Sequence, residues 1–388
     1  MWTTKLISQV ASIVAGNSVP AKQKDELYAG VEGMPYVATK DVGFDGVIDY
    51  QNGIYIPENH LAKFKISPRG ATLICAEGGS AGRKIAYSLS ECCYVNKLVS
   101  FQPNEKIVPK FLYYFALSEN FQSQFRDAMN GLIGGVSLSK MKKFKISFPP
   151  LSEQKRIVLK LDNAFSEIDK AINSSNEQVF EVDNLRYNKI RTFMIDLGNQ
   201  FGFAPLSDVS SIQPKKKIAL EKLNPNDEVS FLNMNGLGIE QKYSESLTNK
   251  RLEEVYSAYQ YFENNDVVFA KITPCFENGK LSIVKNLKNG IGFGSSEFVV
   301  LRPKSKIDPE FLYYALLDKR FRIKGKEQMS GAVGHKRVTK DYFYNYKIPT
   351  PPIEIQKEIV KILESIWVNS ETFQLSKFKK TEELVNLK

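Results

Sequence analysis

The sequence predicts a mixed α/β fold: two similar globular modules separated by a pair of long antiparallel helices, related by a pseudo-twofold axis. Three observations carry that expectation. FLYYFALSENFQSQ at residues 111–124 returns as FLYYALLDKRFRIK at 311–324, 200 residues on. Each copy runs into a proline pair, Pro149-Pro150 and Pro351-Pro352, followed by a long stretch with apolar residues at helical spacing. Upstream of both copies lie short β-rich runs punctuated by glycine.

The repeat is a duplicated domain rather than a solenoid, because its period is far longer than a stacking unit. Gly131 and Gly134 are echoed by Gly331 and Gly334, and Lys140 by Lys340. After the prolines the register slips to 202, so that Gln154, Val158 and Leu161 match Gln356, Val360 and Leu363. Each module opens with a short strand-like or capping segment, at 5–8 and 205–208. Residues 36–39, 71–75, 229–232 and 266–270 read as strands, with Gly43, Gly46, Gly53, Gly236, Gly238 and Gly290 marking turns. The FLYY segments read as amphipathic helices packed on the sheet.

From Ser152 to about Ile195 there is no proline, and Gly198 stands where a helix C-cap commonly falls. Val158, Leu161, Phe165, Ile168 and Ile172, then Val179 and Val182, form a heptad seam interrupted at Ser175. A helix of about 44 residues is ~65 Å long and must lie against something. Its partner is the C-terminal stretch with Ile359, Ile362, Leu363, Ile366 and Trp367. Ser152 is the expected N-cap of the first helix, with Glu153 at the dipole's positive end, whereas the second copy has Glu354 in place of Ser152. The expected domains are therefore 1–148, 149–200, 201–348 and 349–388.

The 388 residues are 43% hydrophobic and carry a net charge of +10. That charge is partitioned: +5 over residues 1–149 and +6 over 201–348, against −1 over 150–200 and 0 over 349–388. Basic modules beside near-neutral helices point to a polyanion, since neutralising phosphates releases counterions, with plain solubility as the alternative reading of the charge. No apolar stretch is long enough to span a bilayer, and the start MWTTKLISQV lacks the order of a signal peptide, so the expectation is a cytoplasmic protein without membrane contact. Cys75, Cys92, Cys93 and Cys275 form no CxxC pair and the only histidines are His60 and His335, which argues against a metal site. Residues 77–82, with three glycines, lack the order of a dinucleotide-binding turn, and Gly279-Lys280 lacks the rest of a Walker motif. No residues are assigned a catalytic role. The chain reads as a binding protein.

PPLSEQKRIVLKLD at 149–162, its echo PPIEIQKEIVKILE at 351–364, and DVVFAKITPCFENGK at 266–280 resemble the specificity subunit of type I restriction–modification systems. The resemblance covers essentially the entire chain. It implies that each module is a target recognition domain reading one half of a split sequence in double-stranded DNA. It also implies that the helices space the halves and dock partners: modification (methyltransferase) subunits, two in number, and restriction (translocase/endonuclease) subunits. S-adenosylmethionine and ATP with magnesium are then expected on those partners and no cofactor on this chain.

Base reading needs donors and acceptors on exposed loops. The expected contacts precede the prolines: Ser137, Ser139, Lys140, Lys142 and Lys143 within 130–143, and His335, Lys336, Arg337 and Lys340 within 330–340. A second set follows the central strands: Ser80, Arg83 and Lys84 with Glu77, and Lys271, Thr273, Asn278 and Lys280 with Glu277. Lys215, Lys216 and Lys217 read as phosphate-contacting or solvated. Val158, Leu161, Phe165, Ile168, Ile172, Ile359, Leu363 and Ile366 are expected in the coiled coil and in subunit docking. Two other readings predict different behaviour: a stand-alone DNA methyltransferase or nuclease with divergent motifs would bind S-adenosylmethionine, and a coiled-coil assembly adaptor would bind no DNA.

Overall fold

A computed structural model describes residues 1–129, 134–245, 247–332 and 334–387. The chain forms two compact units, Met1–Asp169 and Lys170–Lys388, each considered by itself below.

The first unit holds module 1. Its central strand Thr72–Cys75 is a short apolar run buried on both faces, lying between Leu98–Pro103 and Ile85–Tyr87. Ala11–Ala15 completes an antiparallel sheet of four strands. A second sheet of four, in the order Tyr55–Ile56, Met34–Val37, Cys92–Tyr94, Ile66–Ser67, contains one parallel pairing, Tyr36 with Cys93. Lys145–Phe148 alternates strictly, Ile146 and Phe148 inward and Lys145 and Ser147 outward, and pairs with Thr3–Leu6 beside the proline pair. The aromatic helix Pro109–Leu117 begins with proline in its first turn, where no N–H is needed, and buries Phe111, Leu112 and Ala116.

Module 2 repeats this plan strand for strand within the second unit. Ser210–Ile212, Phe298–Pro303, Val267–Ala270 and Leu281–Ile283 make the first sheet. Thr248–Arg251, Glu228–Leu232, Ile291–Gly294 and Gln260–Glu263 make the second, again with one parallel pairing, Phe231 with Phe293. Phe203–Pro205 pairs with Lys347–Pro349 before the second proline pair. The aromatic helix Pro309–Leu317 is capped by Asp308, whose carboxylate accepts from the Glu310 and Phe311 N–H groups.

Two buried glutamines explain the proline-led motif. Gln154 and Gln356 are both 0% exposed. The Gln154 Oε1 accepts from Val108 N at 2.8 Å, and its Nε2 donates to the carbonyls of Lys106 and Pro149 at 3.1 and 2.9 Å. Gln356 makes the same three bonds to Asp308 N, Lys306 O and Pro351 O at 2.8, 2.9 and 2.8 Å. One primary amide thus satisfies three backbone groups where the aromatic helix begins and ties that helix to the one after the prolines.

The long helix is Leu151–Phe201, longer than the sequence suggests at its C-terminal end. Gly198 is not its C-cap. It lies inside the helix because the Phe203 ring folds back over it, and a Cβ there would meet Phe203 Cζ at 1.8 Å. The stop is Gly202 at φ +86°, a left-handed conformation that glycine adopts without penalty, with its N–H on Gly198 O at 2.9 Å. Nor does Ser152 cap the N-terminus. Glu153 and Gln154 already donate to Pro150 O, which puts Ser152 inside the first turn. The C-terminal helix Ile353–Asn386 likewise takes Pro352 as its N-cap.

Within the second unit, residues 170–201 of the long helix pair antiparallel with the C-terminal helix. Ser175 meets Thr381 at 3.1 Å, Asp183 accepts from Gln374 at 2.7 Å, and Tyr187 meets Trp367 edge-on with centroids 6.1 Å apart. Ser175 therefore continues the seam as a buried hydrogen-bonding position rather than interrupting it.

Candidate nucleic-acid interface

In both modules the fold joins the two segments that the sequence marks separately. In module 1, Gly78 N donates to Gly134 O and Val136 N to Ala76 O, both at 3.0 Å, and Glu77 forms a bridge with Gly135. In module 2, Thr273 N donates to Lys336 O and Val338 N to Lys271 O, both at 3.0 Å, and Ile272 bridges Arg337. The loop leaving each central strand is thus stitched to the segment before the prolines. Asn130, Gly131, Leu132 and Ile133 in the first of these segments, and Val333 in the second, lie outside the described residues.

The side chains on this seam divide into free and anchored groups. In module 1, Ser137, Ser139, Lys142 and Lys143 are exposed, with the two serine hydroxyls 3.0 Å apart. Lys140 donates to Ala128 O at 2.9 Å, and Arg83 donates to Gly79 O. Ser80 is half-buried, and its carbonyl takes the N–H of Arg83 at 3.1 Å. Lys84 donates to Thr39 O at 2.9 Å, and Lys280 makes the corresponding bond in module 2, to Met234 O at 2.6 Å. These two lysines pin the loop that follows the first strand of the second sheet.

In module 2, His335, Lys336, Lys340 and Asn278 are exposed, whereas Lys271 donates to Ser296 O at 3.0 Å. Thr273 Oγ1 donates to Glu277 Oε1 at 2.9 Å. Arg337 is engaged by Glu297 through Nε at 2.9 Å and Nη2 at 2.7 Å, and its Nη1 reaches His335 O at 3.2 Å. The Arg337 hydrogen bond holds the Glu297 carboxyl below its usual range, so the pair is ionic at neutral pH. Lys271, Arg337 and Lys340 line a cavity of about 320 Å³ together with Gln213, Val338 and Phe343. Lys216 sits apart from this group, bonded to the carbonyls of Tyr256 and Ser257.

Sequence reasoning passed over Phe44. It is 65% exposed, and Arg83 and Lys84 lie 5.5 and 5.2 Å from its ring centroid, a cation–π arrangement on the same face. The glycines around it signalled only a turn.

The helix residues also sort by environment. Val158 is buried in the core of module 1, and the Phe165 ring lies 5.5 Å from that of Tyr114. Ile359 and Leu363 join Ile190, Met194 and Leu197 in the core of module 2. Leu161, Ile168, Ile172 and Ile366 are half-buried. Much of the apolar stripe thus fastens each helix to its module.

Among the described residues no group of three His, Cys, Asp or Glu side chains could hold a metal ion, and no helix is long and apolar enough to cross a membrane.

A family model described as type I restriction modification DNA specificity domain matches residues 1–178 and again 200–385. The EcoAI specificity subunit of Escherichia coli is 35% identical over 166 residues, covering 42% of this chain and 28% of that one. The StySPI specificity subunit of Salmonella potsdam is 21% identical over 398 residues, covering 96% and 83%. The alignments to EcoAI and to the related EcoEI subunit thus span only about a quarter of those proteins' length. Two solved structures share the fold across the entire chain. One comes from work on complex assembly and conformational transition of the type I R-M system (TM-score 0.67, 16% identity, 100% of this chain and 95% of that one). The other is the HsdS subunit from Thermoanaerobacter tengcongensis (TM-score 0.55, 18% identity, 100% and 94%).

Proposed function

Because this chain belongs to the family of type I restriction modification DNA specificity domains, we propose that it is the non-catalytic subunit that selects the DNA target of such a complex. Module 1 reads one half of a bipartite double-stranded sequence and module 2 the other. The helices dock two modification subunits, which carry S-adenosylmethionine and methylate the DNA, and restriction subunits that use ATP and magnesium to translocate and cut.

The observation that carries this reading is the same stitched pair of loops in both modules, each presenting exposed cations: Lys142 and Lys143 in one, Lys336 and Lys340 in the other. Lysines contribute affinity through phosphates, and hydroxyls and amides such as Ser137, Ser139 and Asn278 can reach base edges. A duplicated binder suits a target in two parts.

The test is methyl transfer from labelled S-adenosylmethionine, measured with the chain alone and with its modification subunits. Sequence-specific transfer should require both components. Transfer by the chain alone would establish it as a methyltransferase and overturn the proposal. An assembled complex that binds no DNA even at low salt would make it an adaptor.

A further inference from the structure

Glu240 stands beside the repeated aromatic helix much as Gly46 does in module 1, each next to the same tyrosine of the repeat. Tyr313 OH donates to Glu240 O at 2.7 Å, and its repeat mate Tyr113 places its OH 2.6 Å from where a Cβ on Gly46 would stand. Both residues are left-handed, Gly46 at φ +78° and Glu240 at φ +53°. A side chain there is strained, so its retention points to something the carboxylate does.

That carboxylate is the meeting point of three elements of the second unit. It is 14% exposed, pairs with Arg322 Nη1 at 2.7 Å and Arg186 Nη2 at 3.6 Å, and accepts from the Tyr187 hydroxyl. Arg186 and Tyr187 belong to the long helix, and the Arg186 guanidinium lies 3.9 Å from the Trp367 ring centroid on the C-terminal helix. Arg322 comes from the helix Lys319–Glu327 of module 2. The backbone of Glu240 reaches the candidate DNA loop, its N–H donating to Gly279 O at 2.9 Å. Gly279 takes φ +79°, a left-handed conformation that favours glycine.

We propose that Glu240 is a positioning residue that locks the DNA-facing loop 271–280 of module 2 to the helix pair, and so fixes where the second half-site is held relative to the helices. This rests on the DNA-specificity reading above. An ion pair buried among aromatic rings resists rotation because its partners lose their compensation if it opens.

Glu240→Gly and Glu240→Gln are the test variants; glycine relieves the φ strain, and glutamine keeps the side chain while removing its charge. In the assembled methyltransferase both should keep the base preferences of each half-site. The preference for the cognate spacer over spacers one base pair shorter or longer should fall roughly tenfold, as expected of a small misplacement remote from the chemistry. Equal loss on all spacers would reduce Glu240 to a stability role and overturn the proposal. Hydrogen exchange on the purified full chain separates this from failure of the functional reading. Amides of 271–280 should exchange faster in Glu240→Gly than in the wild type whether or not DNA is the ligand, and unchanged exchange would overturn the lock outright.

Discussion

Gln154 and Gln356 each serve three backbone groups at full burial. Gln356→Ala should therefore cost about 1–3 kcal/mol for each group left without a partner, read as a lower denaturation midpoint, and Gln154→Ala should behave alike. Gln356→Leu, which fills the space without donors, should do no better. Arg337 poses a different question. Its Nε and Nη2 are already committed to Glu297, so it is poorly disposed to grip a guanine with both donors and better suited to a phosphate. Arg337→Ala should weaken binding about equally on all duplexes and lower the salt slope by roughly one, as titrations at several salt concentrations would reveal. Loss confined to one base position would mark it as a reader instead. Glu310 provides a pH signature. Burial raises its pKa, but hydrogen bonds from Tyr243, Lys242 and Lys285 outweigh this and bring it to about 2. A depressed folded-state value stabilises the protein above the ordinary glutamate range, and that stability is lost as pH falls from there toward 2. Glu310→Gln should show a shallower fall of stability between pH 5 and 2, by up to about one proton.

At the scale of elements, the end of the long helix is decided by one residue. Gly202 at φ +86° has no atom near its missing Cβ, so Gly202→Ala tests conformation alone and should cost roughly 1–2 kcal/mol, with Gly202→Asn less damaging. Equal stability of alanine and glycine variants in chemical denaturation would mean that the chain reverses by other means. Beyond the apolar contacts nearer the module, Ser175, Thr381, Asp183 and Gln374 bond across the helix pair, and the exposed rings of Phe180 and Phe378 lie along this same polar stretch. Polar positions in such a seam favour one register, since slipping would strand their hydrogen bonds.

On the scale of the whole molecule, the duplication should make the modules separable in function. Each has its own pair of four-stranded sheets, its own core and its own stitched loops. Exchanging 201–348 for the same module of a relative should change one half-site in the methylation map of the host and leave the other intact. A hybrid that altered both halves would show that reading is shared. The ion-pair wiring differs between copies. Asp162 on the long helix is held by Lys110 of module 1, whereas its counterpart Glu364 is held by Lys242, which also holds Glu310. Since each module carries the lysine its helix needs, a transplanted module brings its own partner for the acid.

The duplication, the fold class, the proline-led helices and the loops worth watching were all legible in the sequence. Glycine, proline and apolar spacing are local constraints on φ, ψ and burial, and they survive in any context. The match of Gln154 with Gln356 was visible as well, but not its reason, because two of the three backbone groups each serves lie far away along the chain. The two members of each stitched loop pair were likewise found separately, and only the fold joined them. Gly198 misled because Phe203 covers it, a contact that no helix rule anticipates. Phe44 and Glu240 left no signal. They stand in loops whose lengths differ between the modules, so the 200-residue offset does not align them. The sequence by itself determined the duplicated modules, the repeated aromatic helices and the two long helices after the proline pairs. Only the tertiary structure decided which charges stand exposed and which are spent holding the protein together, because pairing depends on groups brought within about 3 Å by packing rather than by spacing along the chain.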